Sequence, residues 1–254
     1  MNAIRRAWAE GGPSIGTVAP QGVTCVGAER LGRAGYDWVV IDLQHGGYGW
    51  ESVIPLSQAV ELGGGSAVVR VPWVSPPDIM RALDYGAAGV IVPMIGTADD
   101  AAIAAKSTRY PPHGYRSSGR VRHTEVSHDE ANEDVVCAVM IETVEAWENL
   151  DSIASVPGID ALIVGPLDLT LSLGWSLDKL GSSEGVDAVA KVVDAAERHG
   201  KAAGVFGLNA EHVRAVLQRG ARFLTHNEAG SFSSPDYAEA LRKLKDEFVT
   251  LGGT

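Results

Sequence analysis

Residues 135–170 read VVCAVMIETVEAWENLDSIASVPGIDALIVGPLDLT, and this stretch decides the fold. An apolar run ends in a carboxylate, Glu142. A helical segment follows with Trp147, Leu150 and Ile153 at spacing three, and a second apolar run ends in Asp168. That is one β/α/β unit with an acid at the same end of each strand. Ligands bind at the carboxyl ends of strands in parallel barrels and doubly wound sheets, so the two acids are candidates for a shared cation. Acids at strand ends also cap helices, and that structural reading stands beside the functional one.

Working outward, apolar strand-like runs occur at 14–19, 37–43, 67–71, 89–94, 135–142, 161–164, 202–206 and 222–225. Helical patterns at 51–62, 77–85, 98–108, 186–199, 210–219 and 236–248 lie between and after them. Gly35, Gly63, Gly86, Gly158, Gly200 and Gly220 fall just past helix ends, where the left-handed conformation suits glycine. The order is (βα)8. Continuous apolar strands are those buried on both faces, so a closed (β/α)8 TIM barrel spanning 1–254 as a single α/β domain is the leading architecture. A doubly wound open sheet is the alternative, but no G-x-G-x-x-G follows the first strand.

A chain of 254 residues, 45% of them hydrophobic, can bury a large single core and carries no apolar run long enough to span a membrane. A net charge of −11 argues against a nucleic-acid partner. The opening MNAIRRAWAEGGPSIG has no apolar leader core, which predicts a cytoplasmic protein. Cys25 and Cys137 lack motif partners and read as buried, reduced thiols. One connection, 110–134, is long, polar and basic; a surface or subunit contact is its plain reading. Arg116, Arg120, Arg122 and His123 would also suit an anionic substrate if the loop covered a mouth.

In a barrel, function is read from what each strand delivers at its carboxyl end. The second delivers Asp42, Gln44 and His45 before Gly46 and Gly47; the third, Arg70; the fifth, Glu142; the sixth, Gly165, Pro166 and Asp168; the eighth, His226 and Asn227. Period-two alternation puts Asp42 and Gln44 on one face. Arg70 ends an apolar strand and needs an anion, either an ion-pair partner (Asp42 or Glu142) or a substrate carboxylate. None of the six lysines, Lys106, Lys179, Lys191, Lys201, Lys243 and Lys245, falls at a strand's carboxyl end, which disfavours Schiff-base chemistry. Hard oxygen donors from Glu142 and Asp168 suit Mg²⁺ or Mn²⁺.

The fragments AGYDWVVIDLQHG, VVRVPW, ALDYGAAGVIVPM, STRYPPHGYRSSG, MIETVEAWENLDSIASVPGIDALIVGPLDLTLSLG and GKAAGVF together resemble the metal-dependent (class II) pyruvate aldolases related to 4-hydroxy-2-oxoheptanedioate aldolase, the hydroxy-ketoacid aldolases. The resemblance covers nearly the whole chain. It implies a lyase that cleaves a 4-hydroxy-2-oxo acid to pyruvate, or a close analogue, and an aldehyde through a metal-stabilised enolate. Glu142 and Asp168 would bind a divalent metal (Mg²⁺, Mn²⁺ or Co²⁺), His45 would act as acid/base, and Arg70 would steady the enolate. The amides of Leu167 and Asp168 would hold the donor carboxylate. Asp84 would raise the basicity of the histidine, reaching a neighbouring subunit's site, with Asp42 as the local alternative. The resemblance further implies a homohexamer, a dimer of trimers, with the last helix exchanged between subunits. Tyr237, Leu241, Leu244 and Phe248 lie on one face of that helix, and packing on its own barrel is the alternative.

The chain departs from the family at Gln44, where a glutamate usually precedes the histidine, and at Met140, where a glutamine usually stands two residues before the metal-binding glutamate. The expectation is that Gln44 partly supplies the missing amide. The segment THNEAGS also differs from the family pattern. A lyase acting on CoA esters or phosphoenolpyruvate, and a catalytically silent barrel that binds a 2-oxo acid, are the competing readings.

Overall fold

The computed structural model describes residues 1–226 and 235–250. Asn227 and most of THNEAGS lie outside the described residues, as do the side chains of Tyr237 and Phe248. Eight strands form in the expected places: β1 (Ser14–Val18), β2 (Trp38–Asp42), β3 (Ser66–Arg70), β4 (Gly89–Val92), β5 (Val136–Ile141), β6 (Ala161–Val164), β7 (Ala202–Val205) and β8 (Phe223–Thr225). All pair in parallel in the order β7-β6-β5-β4-β3-β2-β1-β8. The ends meet where Arg222 N–H donates to Ala203 O at 2.7 Å and Phe206 bridges Thr225, which closes a (β/α)8 barrel and leaves no exposed sheet edge.

Alternation along the strands separates two cores. Ile15, Val39, Ile41, Val69, Val90 and Val139 face the helices, whereas Trp38, Val40, Val68, Met140, Ile163 and Phe223 fill the barrel. Trp38 stacks on Phe223 with centroids 4.3 Å apart. Gly16 makes room for this pair, because a Cβ there would lie 2.2 Å from the Trp38 ring. Beneath them the helix Ala3–Ala9 plugs the amino end of the barrel, with Ile4 fully buried and Trp8 set edge-on to Phe223.

Several local expectations are corrected. The helical segment after β5 is two short helices, Val144–Glu148 and Leu150–Ala154, because Asn149 turns to donate from its side chain to Gly96 O. Five of the six glycines past helix ends have positive φ; Gly63 does not, and Gly64 (φ 94°) takes that place. Gly63 serves close packing instead: a Cβ there would lie 2.3 Å from Glu29 O, on the crossing of helices Cys25–Arg33 and Val53–Leu62. Cys25 is exposed at a helix start rather than buried, while Cys137 is buried as expected.

The basic connection 110–134 packs at the amino end of the barrel and does not cover the carboxyl mouth. Arg116 pairs with Asp84 and Arg122 with Glu61, both acids lying near the carboxyl ends of barrel helices, which point to that face. Within the chain, the last helix (Pro235–Thr250) packs on its own barrel: Leu241 and Leu244 are buried, and Lys245 Nζ donates to Gly35 O and to Asp37. No helix among the described residues is long and apolar enough to cross a membrane.

Candidate active site

The parallel register makes Asp42 and Arg70 direct neighbours at the ends of β2 and β3. The Arg70 guanidinium grips Asp42 with both prongs, Nε to Oδ1 at 2.8 Å and an Nη to Oδ2 at 2.6 Å, the bidentate geometry that fixes orientation best. Asp42 Oδ1 also accepts the backbone N–H groups of Gln44 and His45. Burial alone would raise the Asp42 carboxyl; the hydrogen bonds and charge of Arg70, with those two amides, outweigh it and hold the group below its ordinary 3.8. Gly46 lets the chain fold back over this cluster, since a Cβ there would meet Asp42 O at 2.3 Å. The other side of Arg70 rests on the Phe206 ring, 5.2 Å from its centroid.

Glu142 follows β5 and is buried. Its Oε1 accepts from Met94 N–H at 2.6 Å, and Met94 adopts φ 56°, a left-handed backbone that is strained for a side chain without a short polar tip. Gly165 borders the other oxygen: a Cβ there would lie 2.6 Å from Glu142 Oε2 and 3.0 Å from Met140 Cε. Burial raises the Glu142 carboxyl above its ordinary range. Met94 N–H opposes this, Asp168 reinforces it, and Arg70 partly relieves it. Asp168 is exposed in the first turn of helix Pro166–Ser172, whose start has no side-chain cap, so the Leu167 and Asp168 amides face outward from an uncapped helix end.

A buried carboxylate destabilised by a second one beside it, both hard oxygen donors, fits a divalent cation. Among the described residues no group of three or more His, Cys, Asp or Glu side chains is assembled for a metal, so Glu142 and Asp168 would leave the remaining coordination positions to substrate and water.

The remaining expected site residues divide. His45 is exposed at the mouth, and its ring has no hydrogen bond among the described residues. Neither proposed partner meets that ring within the chain: Asp42 is engaged by Arg70 and main-chain amides, and Asp84 lies at the opposite end of the barrel, 2.8 Å from Arg116. Gln44 is half-buried and its side chain makes no hydrogen bond among the described residues. Met140 is only 1% exposed and forms the floor beneath Glu142, one layer below where a substrate contact would lie. His226 is buried and its main chain ties β8 to Gly16 O and the Tyr36 hydroxyl. Lys201, the lysine nearest a strand, sits before β7 at the amino end, donating to Val156 O and Ile159 O.

Sequence reasoning missed Met94 and Phe206. Met94 acts through its main chain, which no residue identity announces; Phe206 ends an apolar strand and looks like core.

A closed parallel barrel that presents two acids, a clamped arginine and an exposed histidine at one mouth is the architecture of a barrel enzyme. Residues 22–231 match the HpcH/HpaI aldolase/citrate lyase family, and the chain belongs to it. It is 40% identical over 231 residues to the hydroxypyruvate/pyruvate aldolase of Rhizorhabdus wittichii, covering 89% of this chain and 91% of that protein. It is 34% identical to the 5-keto-4-deoxy-D-glucarate aldolase of Klebsiella pneumoniae, with 88% of each covered. Among solved structures, a HpcH/HpaI aldolase/citrate lyase family protein from Burkholderia cenocepacia superposes with a TM-score of 0.79 at 30% identity over 99% of both chains.

Proposed function

We propose that the mouth reversibly cleaves a 4-hydroxy-2-oxo acid to pyruvate, or a close analogue such as hydroxypyruvate, and an aldehyde, with a divalent metal as cofactor. The observation that carries this reading is the buried Glu142 carboxylate, held by Met94 and crowded by Asp168 opposite the clamped Arg70. The aldolase names of the relatives support the same reaction class.

A divalent cation on Glu142 and Asp168 would supply Lewis acidity toward the 2-oxo group, which makes a C3 proton removable. The protein's own groups do the rest. The Leu167 and Asp168 amides orient the donor carboxylate at the uncapped helix end. Arg70, unable to rotate between Asp42 and Phe206, faces the negative charge that develops on the 2-oxo oxygen. His45, exposed and with a ring that makes no hydrogen bond among the described residues, moves the proton between C3, the 4-hydroxyl and solvent, a contribution of about 10² to 10⁴ in rate. Asp84 serves the His45 of a neighbouring subunit in a hexameric assembly. Two unpaired thiols are in keeping with a cytoplasmic enzyme.

The test is mass analysis of products from pyruvate or hydroxypyruvate with a panel of aldehydes and Mg²⁺, Mn²⁺ or Co²⁺. Aldol adducts should form with metal and vanish in excess chelator and in Glu142→Ala. Full activity under chelation, or in that variant, overturns the reading.

A further inference from the structure

The turn that follows β4, residues 93–97, is strained and tied down at several points. Met94 holds φ 56°, a left-handed backbone that a residue with a long side chain and no polar tip rarely adopts. Such a conformation persists only where its surroundings impose it. Ile95 is fully buried, and Asp100 accepts from the Gly96 and Thr97 N–H groups at 3.3 and 3.0 Å. A further tie comes from the segment after β5, where the Asn149 side-chain amide donates to Gly96 O at 3.0 Å. Asn149 stands at the start of helix Leu150–Ala154, where asparagine ordinarily caps, yet its side chain makes no capping bond. Its donor is spent on the neighbouring loop instead.

What the strained turn achieves is visible at Glu142. The Met94 N–H, aimed inward by that backbone angle, donates to Glu142 Oε1 at 2.6 Å. Glu142 Oε2 makes no hydrogen bond among the described residues, although the side chain is buried. It lies in the space left by the missing side chain of Gly165, where a Cβ would come within 2.6 Å, and Gly165 leads into the helix that carries Asp168. The two oxygens are thus divided, one saturated by the main chain and one left on the Asp168 side. A carboxylate free on both oxygens can meet a cation through either or both; this one offers a single donor.

We infer that Met94, through its main chain, and Asn149, through Gly96, are positioning residues for a divalent cation: together they hold Glu142 as a one-oxygen ligand with Oε2 as the donor. This assignment rests on the metal-binding role proposed above for Glu142. Position 94 must then tolerate a left-handed backbone, whatever side chain it carries, and Asn149 is retained for its amide donor and not for its helix.

The experiment titrates the metal-free full chain with Mn²⁺, reading the bound ion from the loss of the aqueous Mn²⁺ paramagnetic resonance signal, with the urea unfolding midpoint of each variant as a control. Met94→Val, whose branched Cβ excludes the left-handed backbone, should weaken Mn²⁺ binding by about 10- to 100-fold. Asn149→Asp keeps the shape but loses the donor and should weaken it in the same direction; it reads the same linkage if Met94→Val fails to fold. Met94→Gly and Met94→Asn admit the left-handed backbone and should bind as the wild type does. A merely structural role would lower the unfolding midpoint and leave the Mn²⁺ affinity of the folded protein unchanged. Wild-type protein that binds no Mn²⁺, or a Glu142→Ala variant that binds as wild type, overturns the metal site itself. With that site intact, unchanged affinity in Met94→Val or Asn149→Asp, or a loss in Met94→Gly and Met94→Asn equal to that in Met94→Val, overturns the inference.

Discussion

The Asp42–Arg70 pair can be tested by a double-mutant cycle. Both side chains are largely withdrawn from water, at 5% and 14% exposure, and joined by two short hydrogen bonds. Removing one partner of such a pair strands the other's charge, typically at about 3–5 kcal/mol. Because Arg70 retains some solvent and its cation–π contact with Phe206, the lower end applies, and Asp42→Ala should lose about 3 kcal/mol. Arg70→Ala should lose a similar amount, and the double variant far less than the sum, a coupling of about 2 kcal/mol. Urea unfolding followed by circular dichroism measures all four corners. The pH dependence has a definite sign. Asp42 is held below 3.8 in the folded chain, so its contribution is fully present above that value and is lost as pH falls through the lowered folded value. The gap between wild type and Asp42→Ala should therefore be flat from about pH 5 to 8 and narrow below about pH 4. Additive single effects, with coupling near zero, would refute the view that Asp42 is what holds Arg70 in place.

Other consequences follow from the same geometry. Burial and Asp168 keep the Glu142 carboxyl raised, so without a cation its charge costs stability as pH rises above about 4.5; Glu142→Gln should melt higher than wild type in chelator at pH 8, and added Mn²⁺ should raise the wild type's melting temperature but not the variant's. Gly16→Ala would drive a methyl group into Trp38 and should cost about 3 kcal/mol or prevent folding, read by the denaturation midpoint. A thiol reagent at pH 8 should label Cys25 in the native protein and reach Cys137, whose thiol burial pushes up to about 12, only on unfolding. If Asp84 serves a neighbouring subunit, mixing inactive His45→Ala and Asp84→Ala chains should restore part of the activity, and no recovery after verified subunit exchange would count against it.

The barrel was legible because its strands are continuous runs of Val, Ile, Leu and Ala, a pattern that only a sheet buried on both faces requires. Asp42, Arg70 and Glu142 were legible for the converse reason: charges that interrupt such runs at one end need a partner. What sequence could not show was who pairs with whom. The strand register assigns Arg70 to Asp42, whose Oδ1 also takes the main-chain amides of Gln44 and His45. Main-chain function was equally hidden, since the Met94 amide that holds Glu142 depends on a backbone angle and not on a methionine. The place of loop 110–134 follows from the chain order, since a connection after the fourth strand's helix starts at the amino end of the barrel, and the ion pairs with Glu61 and Asp84 hold it there. Gly63 and Gly64 illustrate the limit on a small scale, where two adjacent glycines divide close packing and chain reversal between them.

The most direct measurement of the central claim is hydrogen exchange at the pyruvate methyl group, followed by proton NMR in D₂O with no aldehyde present. The methyl signal should be lost with wild-type protein and Mg²⁺ or Mn²⁺, and should persist with chelator or with Glu142→Ala. Exchange at the wild-type rate in excess chelator, or no exchange with any divalent metal, would contradict it.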